Sequence, residues 1–337
     1  MRAWEIISDG GVDELVLNDR PEPAPGPGQV LVRVHASSLN YRDLSTIEDP
    51  VSRGLSLPTI PNSDAAGEVV AIGSGVEGIT NGDRVMGCFF QDWQSGPISA
   101  GAMASALGGA RPGVLAELVA LDARGLVPVP AHLTWTEAST LPCAALTAWH
   151  ALTRPRQVRP GETVLLLGTG GVSVFAQQFC RLMGARTIVT SSSDDKLERM
   201  RTLGASETIN YRATADWDSA VLDLTDGVGV DRVVEVGGPG TLQRSIDACR
   251  VGGLIALIGI LTGAQGTVTP TGIMRKSITV RGIYVGSRQM FLEMNEAVSL
   301  HRLTPVIDEV FEFLQAPGAY HRMRSGRHFG KLVIEVG

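Results

Sequence analysis

Two different hydrophobic patterns follow each other along the chain. In residues 1–125, short alternating runs such as QVLVRVHA lie between glycine, proline and Asn-Gly punctuation, which is typical of strands in a small barrel or sandwich. From about residue 126, fully apolar runs alternate with helical spacing. Strand-like runs return after about residue 265, as in ITVRGIYVG and KLVIEV. The pattern therefore changes twice.

This order predicts an α/β fold with two domains, which is also the expectation for 337 residues. Buried strands that alternate with helices indicate a doubly wound parallel sheet with helices on both faces. We expect residues 1–125 and 266–337 to form one discontinuous β-rich domain, and residues 126–265 to be inserted into it as the sheet domain. A Thr134–Glu137 capping box predicts that a helix begins after Thr134.

The segment VLLLGTGGVSVFAQQF joins an apolar strand to a helix through a glycine-rich turn. Gly168 would permit the tight turn, and Gly170 would let the backbone approach a pyrophosphate at the helix N-terminus formed by Gly171 and Val172. Ser173 stands at the third glycine position, where we expect it to loosen the contact between strand and helix. Because a strand precedes the turn and a helix follows it, the motif predicts dinucleotide binding rather than a plain turn.

The end of the next strand, in TIVTSSSDDK, indicates which dinucleotide is bound. NAD enzymes usually place a carboxylate there, whereas this chain has Ser191. Hydroxyl groups and the nearby Lys196 favour a 2′-phosphate, so we predict NADP(H). The alternative is a serine-rich turn with a solvated lysine. Asp194 and Asp195 are expected in the first turn of the following helix.

Composition excludes several classes of function. The net charge of −6 comes without a basic block, which argues against nucleic acid as a partner. The amino-terminal residues contain no apolar signal core, and no apolar run is long enough to span a bilayer. The four cysteines lie far apart, which argues against a disulfide framework. We expect a cytoplasmic protein with no membrane partner.

Five segments together resemble the medium-chain dehydrogenase/reductase superfamily: SSLNYRD, NGDRV, GTGGVSVFAQQF, EVGGPGTLQRSIDACRVGG and HFGKLVIEV. Within it, the chain is most similar to the zinc-independent, quinone-oxidoreductase-like branch, often labelled alcohol-dehydrogenase-like. The resemblance implies a Rossmann domain inserted into a GroES-like catalytic domain, and a homodimer. It assigns the 2′-phosphate to Ser191 or Ser192, Lys196 and Tyr211. Further implied cofactor contacts are Thr147, Gly237, Gly259, Ile260, His328 and Lys331.

The same resemblance provides a test for zinc. Zinc-containing members hold the catalytic metal with a Cys, the His of a Gly-His-Glu motif and a second Cys. The corresponding positions here are Asn40, Ser63 (followed by Asp64) and Cys143. A single thiol does not make a catalytic zinc site. Cys88 is alone in the region where other members carry four cysteines, so we expect no metal.

Without a Lewis acid, hydride transfer needs an acceptor that is already electrophilic, such as a quinone or an α,β-unsaturated carbonyl. Asn40 and Tyr41 offer donors for the developing enolate oxygen and are the candidate catalytic residues. Alternatively, Asn40 orients the nicotinamide and Tyr41 packs under its loop. Arg42 and Asp43 are interpreted as a structural ion pair or as partners in loop hydrogen bonds, rather than as catalysts.

The sequence is also compatible with two other functions. One is alcohol oxidation or carbonyl reduction, for example of an aldehyde. The other is NADPH binding in a structural or regulatory protein with little turnover.

Overall fold

The computed structural model describes all 337 residues, which fold into two compact units. The discontinuous unit comprises Met1–Leu146 and Val285–Gly337, and the inserted unit comprises Thr147–Tyr284. Both boundaries lie later in the chain than residues 126 and 266. The helix Trp135–Ser139 packs on strands of the discontinuous unit, whereas the strand Thr279–Gly282 pairs within the sheet of the inserted unit. Long-range contacts, rather than changes of composition, set these boundaries.

The strands are, in chain order, β1 (Arg2–Ile6), β2 (Leu15–Asp19), β3 (Gln29–Ser38), β4 (Asp64–Ile72), β5 (Arg84–Gly87), β6 (Leu118–Asp122), β7 (Leu126–Pro128), β8 (Thr163–Leu167), β9 (Arg186–Ser191), β10 (Glu207–Asn210), β11 (Val230–Glu235), β12 (Cys249–Leu257), β13 (Thr279–Gly282), β14 (Ile307–Glu312) and β15 (Lys331–Glu335). The α-helices are α1 (Tyr41–Glu48), α2 (Ala100–Met103), α3 (Trp135–Ser139), α4 (Leu146–Thr153), α5 (Gly171–Leu182), α6 (Asp194–Thr202), α7 (Trp217–Asp223), α8 (Pro239–Ala248), α9 (Pro270–Arg275), α10 (Arg288–Leu300) and α11 (Ala316–Arg324). Short 3-10 turns cover Val12–Glu14, Ala123–Gly125 and Phe313–Gln315, and a π-helical turn covers Leu141–Ala145.

The discontinuous unit is built around β3, which pairs antiparallel with β4, β6 and β15. Its main sheet has the order β14-β15-β3-β4-β5-β7, and β1 and β2 form a separate hairpin. Apolar side chains of β3, including Val30, Val32 and Val34, are buried in the largest core cluster of this unit. The alternating pattern of the first residues therefore does form a β-rich domain.

The inserted unit is a six-stranded parallel sheet with the order β10-β9-β8-β11-β12-β13. This is the strand order of dinucleotide-binding domains, and the predicted fold class is confirmed. All five residues of β8 are buried, as its continuous apolar run predicts. None of the helices in the structure combines the length and the apolarity that a bilayer crossing requires.

The predicted start of α3 is confirmed in detail. The hydroxyl of Thr134 accepts a hydrogen bond from the Glu137 backbone N–H, and the Glu137 carboxylate accepts one from the Thr134 N–H. This reciprocal capping satisfies two of the four backbone donors that a helix start leaves open.

Candidate active site

The glycine-rich turn joins β8 to α5 in the inserted unit. Gly168 has a φ of +74°, a conformation that side chains rarely adopt, and Gly170 is the N-cap residue of α5. No atom lies within 4 Å of a Cβ built on Gly170, so the space beside this backbone is open. A pyrophosphate could therefore approach the helix N-terminus, as the motif predicts.

The expected effect of Ser173 is wrong. Its side chain is buried, and its hydroxyl donates a 2.6 Å hydrogen bond to the carbonyl of Leu167. The serine thus ties the first turn of α5 to the last residue of β8. The tight contact that a glycine would allow is replaced by a hydrogen bond.

The four residues predicted to hold the 2′-phosphate lie at the end of β9 or in the segments next to it. Ser191 is the last residue of β9 and is buried, Ser192 follows it, and the backbone N–H of Tyr211 donates to the Ser191 carbonyl at 3.0 Å. Lys196 lies in the first turn of α6, after Ser193 at the N-cap. No carboxylate ends this strand.

Asp194 and Asp195 lie in the first turn of α6, as predicted. The carboxylate of Asp194 accepts a 2.8 Å hydrogen bond from the side chain of Asn210. This acid therefore fastens α6 to β10, and the dipole at the helix start favours both carboxylates.

Two glycine-containing loops meet at the ends of β11 and β12. The Glu235 carboxylate accepts hydrogen bonds from the backbone N–H groups of Gly237 and Gly238, at 2.8 and 3.0 Å. A Cβ on Gly259 would lie 2.2 Å from the carbonyl oxygen of Val236, so only glycine fits. Glu235 holds this loop pair in shape and was not singled out from the sequence, although a glutamate at the end of an apolar strand is an available signal.

The other predicted cofactor contacts come from separate segments of the chain. Ile260 follows Gly259 and is half exposed. Thr147 is buried in the first turn of α4, in the inserted unit. His328 precedes β15 in the discontinuous unit. Their contacts with a cofactor stay predictions.

In the discontinuous unit, Asn40 and Tyr41 stand where β3 gives way to α1. Asn40 is the N-cap residue of α1 and forms a capping box with Asp43, whose carboxylate accepts from the Asn40 N–H at 2.8 Å. Arg42 lies 3.2 Å from the Asp43 carboxylate and also donates to two backbone carbonyls, which confirms the structural ion pair.

The two candidate catalytic residues have different surroundings. Asn40 is 8% exposed, whereas Tyr41 is 48% exposed. Tyr41 borders a surface cleft of about 560 Å³, which is also lined by Ser45, Arg53 and Arg324. Tyr41 is thus about half exposed beside this cleft, whereas Asn40 is buried.

Lys331 is buried at the start of β15, and its ammonium group has two oxygen partners. It donates to the carbonyl of Leu39 at 2.5 Å and to Asn40 Oδ1 at 2.7 Å. Burial lowers the pKa of Lys331, and the nearby carboxylates of Asp64 and Asp43 oppose this effect. The contact of Lys331 with the cofactor, which the resemblance implies, stays a prediction.

Asp64 completes this cluster from the start of β4. Its carboxylate accepts hydrogen bonds from the Ser63 hydroxyl at 2.6 Å and from the backbone N–H of Cys143 at 3.1 Å. Burial raises the pKa of Asp64, against the opposing attraction of Lys331. Burial also raises the pKa of the Cys143 thiol far above its usual range, helped by Asp64, so this thiol stays protonated.

Both units resemble families of known proteins. Residues 26–131 match the alcohol dehydrogenase GroES-like domain, and residues 171–300 match the zinc-binding dehydrogenase family. A zinc-type alcohol dehydrogenase-like protein of Schizosaccharomyces pombe is 43% identical over 333 residues, which cover 97% of this chain and 96% of that protein. The chain belongs to the medium-chain dehydrogenase/reductase superfamily. It is an oxidoreductase of that superfamily, with a GroES-like and a Rossmann domain.

Three other similar proteins carry more specific descriptions. The 2-methylene-furan-3-one reductase of Solanum lycopersicum is 30% identical over 340 residues, which cover 99% of this chain and 79% of that protein. A crystal structure described as an NAD-dependent alcohol dehydrogenase has a TM-score of 0.91 and 35% identity, and covers 100% of both chains. A mycobacterial protein solved with NADPH has a TM-score of 0.85 and 25% identity, and also covers 100% of both chains. Nicotinamide cofactors thus occur among these relatives.

The zinc in the family description can be tested against the side chains present. Asn40 Oδ1 accepts from an ammonium group and the Ser63 hydroxyl donates to Asp64, so Cys143 is the one zinc-binding side chain at the three ligand positions. No group of three or more His, Cys, Asp or Glu residues in the structure is placed to hold a metal ion. These residues do not fit a catalytic zinc ion, which needs three protein ligands drawn from such side chains.

Proposed function

We propose that this superfamily member is a metal-independent, NADPH-dependent oxidoreductase that reduces a quinone or an α,β-unsaturated carbonyl. One observation carries the proposal: Asn40, at the position of the first zinc ligand, is bound to the ammonium group of Lys331. A site that keeps only one of three metal ligands has no Lewis acid to polarise a simple ketone. An acceptor with an electron-poor double bond does not need one.

NADPH, when bound, would supply the hydride. The residues proposed to hold it are the turn at Gly168, Gly170, Gly171 and Val172 and the loop around Gly237 and Gly259. The preference for NADPH is supported by Ser191 at the end of β9 and by the lysine that follows in α6. It is also supported by the NADPH complex of the mycobacterial relative, although another similar structure is described as NAD-dependent.

Tyr41 is the residue that we propose to meet the substrate. Its phenol is exposed at the edge of a cleft, and an O–H group there can donate to the oxygen that gains charge during reduction. Asn40 would then act by positioning, because its amide is buried and held by Lys331. The name of the tomato relative, a reductase of a conjugated ketone, supports this substrate class.

Following NADPH absorbance with matched substrates tests the proposal. The pairs are 2-cyclohexenone with cyclohexanone, and a benzoquinone with benzaldehyde. We expect turnover of the enone or the quinone and little turnover of the saturated ketone or the aldehyde. The opposite order would overturn the proposal in favour of carbonyl reduction, which the names of two relatives suggest.

A binding titration distinguishes the enzyme from the remaining alternative, a protein that binds NADPH with little turnover. NADPH binding measured by fluorescence, together with no turnover of any substrate in the panel, would replace the enzyme with an NADPH-binding structural or regulatory protein.

We also propose a homodimer in the cytoplasm. β13 is the last strand on one side of the parallel sheet, so one row of its backbone groups has no partner strand within the chain. Light scattering after size-exclusion chromatography should give twice the mass of one chain. A monomer would contradict the proposed assembly.

A further inference from the structure

The cleft beside Tyr41 runs along one face of α1 in the discontinuous unit. Four residues of this helix line it at the three- and four-residue spacing that places side chains on the same side: Tyr41, Leu44, Ser45 and Glu48. Leu44 is buried, whereas Glu48 is exposed. The lining thus combines an aromatic ring, an apolar side chain and polar groups, which suits a small conjugated carbonyl compound with a polar substituent.

Arg53 follows the end of α1 and lines the same cleft. Its Nε donates to the backbone carbonyl of Ser45 at 3.2 Å, and its Nη2 donates to the Ser45 hydroxyl at 2.8 Å. The carbonyl of Ser45 is one of the last four in α1, which have no acceptor role within the helix. Arg53 therefore caps the helix end, and its guanidinium group is held in one orientation beside the cleft.

The hydrogen bonds of Arg53 leave its charge available. Both of its acceptors are neutral groups of Ser45, and its Nη1 takes part in neither bond. Arg324, the other arginine of the cleft, instead pairs with the carboxylate of Glu48. Guanidinium groups bind carboxylates and phosphates through charge-assisted hydrogen bonds. Arg53 is therefore the cation of this cleft that an anionic ligand can meet.

Asp49 is the acidic group that opposes such a ligand. Its two carboxylate oxygens accept from the hydroxyl and the backbone N–H of Ser52, and these hydrogen bonds lower the pKa of Asp49. Asp49 is thus ionised at neutral pH in the same cleft. Because Arg53 attracts an anion and Asp49 repels it, the two residues should have opposite effects on the affinity for an anionic ligand.

The position of Arg53 on α1 indicates which anions fit. Tyr41 and Ser45 lie one helical turn apart, about 5.4 Å along the axis. Since Arg53 is anchored on Ser45, an anionic group bound to it would lie about one turn from the part of the ligand beside Tyr41. An α,β-unsaturated ketone with a carboxylate at the far end of its double bond has its two polar groups at such a separation.

We propose that Arg53 selects an anionic substrate, an enone or quinone whose conjugated system carries a carboxylate. The inference rests on the proposed function for the reacting double bond and adds Arg53 as a specificity-determining residue. The β-carbon of the ketone gains the hydride that NADPH supplies, and the resulting enolate takes a proton from solvent at its α-carbon. The products are the saturated keto acid and NADP⁺.

A matched pair of substrates tests the proposal by turnover. 3-Benzoylacrylate carries the carboxylate, and its methyl ester lacks the charge. The acid-to-ester ratio of kcat/KM is compared between variants, because the ester is intrinsically the more electrophilic compound. Arg53→Met should lower this ratio by roughly 5- to 20-fold, mainly through the KM of the acid, because a hydrogen bond to a charged group is lost. Arg53→Lys should restore part of the loss, and Asp49→Asn should raise the ratio above that of the unmodified protein.

Arg33 provides the matched control for the turnover assay. It is exposed on β3 in the same unit and does not line the cleft, so Arg33→Met removes the same charge elsewhere. The acid-to-ester ratio should stay the same in this variant. Equal losses with Arg33→Met and Arg53→Met, or no loss with Arg53→Met, would overturn the proposal.

A calorimetric titration separates failure of this inference from failure of the proposed function. The ligand is 3-benzoylpropanoate, the saturated acid, which has no double bond to reduce, and its methyl ester is the control. Weaker binding of the acid by Arg53→Met would support the anion site even if neither enone is turned over. Equal binding of the acid by both proteins would overturn it even if both enones are turned over.

A fluorescence titration with NADPH tests the other source of an anion, the phosphate groups of the cofactor. We expect Arg53→Met to bind NADPH as tightly as the unmodified protein does. A variant that loses affinity for NADPH and keeps its affinity for 3-benzoylpropanoate would assign Arg53 to the cofactor and overturn the proposal.

Discussion

Replacing Ser191 with Asp should shift the cofactor preference from NADPH towards NADH. Ser191 is the last residue of β9, where NAD enzymes use a carboxylate to bind the ribose hydroxyls. The Ser191 hydroxyl accepts a hydrogen bond from the backbone N–H of Ser193 at 3.4 Å, and an aspartate oxygen can accept the same bond. The fold of the turn should therefore survive the substitution.

The expected size of this shift follows from Coulomb's law. Two like charges ~5 Å apart repel by about 3 kcal/mol at the effective dielectric constant near a protein surface. Solvent screening at the open end of the strand reduces this to roughly 1–2 kcal/mol, which is about 5- to 30-fold in the ratio of the two dissociation constants.

Fluorescence titration with NADPH and NADH measures the ratio directly, in parallel with kcat/KM for both cofactors. Ser219→Asp is the matched control, since Ser219 is exposed in the first turn of α7 and the substitution adds the same charge elsewhere in the inserted unit. The control should leave the ratio unchanged. If Ser191→Asp also leaves it unchanged, the assignment of the 2′-phosphate pocket to the end of β9 is refuted.

Three further substitutions address the substrate side, the loop and the pH dependence. Tyr41→Phe should lower kcat with the enone or the quinone by roughly 10- to 100-fold, because one donor to the reacting oxygen is lost, while NADPH binding stays the same. An unchanged kcat would show that the Tyr41 phenol takes no part in catalysis. Glu235→Gln should lower the free energy of unfolding in urea by about 2–4 kcal/mol, because the Glu235 carboxylate accepts three hydrogen bonds at one oxygen and one from the Ser245 hydroxyl at the other, and an amide has only one acceptor oxygen. A loss below ~0.5 kcal/mol would contradict the role of Glu235 in the loop. Burial raises the pKa of Asp43 from 3.8 to about 6, so the folded protein holds this proton more tightly than the unfolded chain. The contribution of Asp43 to stability is therefore complete below pH 3.8 and is lost as the pH rises through about 6. Asp43→Asn loses the contact with Arg42 at every pH, but its free energy of unfolding should improve by up to about 3 kcal/mol relative to that of the unmodified protein as the pH rises from 4 to 7. Urea unfolding at each pH measures this difference, and parallel pH profiles would contradict the assignment.

Local patterns were enough to predict much of the inserted unit. Each of three features can be recognised from a few consecutive residues: the apolar run of β8, the glycines at its end and the acids at the start of α6. Each reflects a local cause: continuous burial, a left-handed backbone conformation and a helix dipole. The capping box of α3 belongs to the same class.

Side-chain contacts that depend on the pairing of distant strands could not be predicted from local patterns. Lys331 reaches Asn40 only because β15 pairs with β3 in one particular register, across 291 residues of sequence. The lysine at the head of an otherwise apolar strand was a signal that it needed a buried counter-charge, but the sequence does not say which carboxylate supplies it. Ser173 was misread because a local motif treats the third glycine only as missing space, whereas the hydroxyl finds an acceptor on β8.

The central claim is that this oxidoreductase works without a metal ion. The most direct test measures enone or quinone turnover and zinc content on the same preparation, before and after treatment with a strong chelator and after addition of Zn²⁺. The account predicts a zinc content well below one ion per chain and a turnover that neither treatment changes. A turnover that is lost with the chelator and restored by stoichiometric zinc would contradict it.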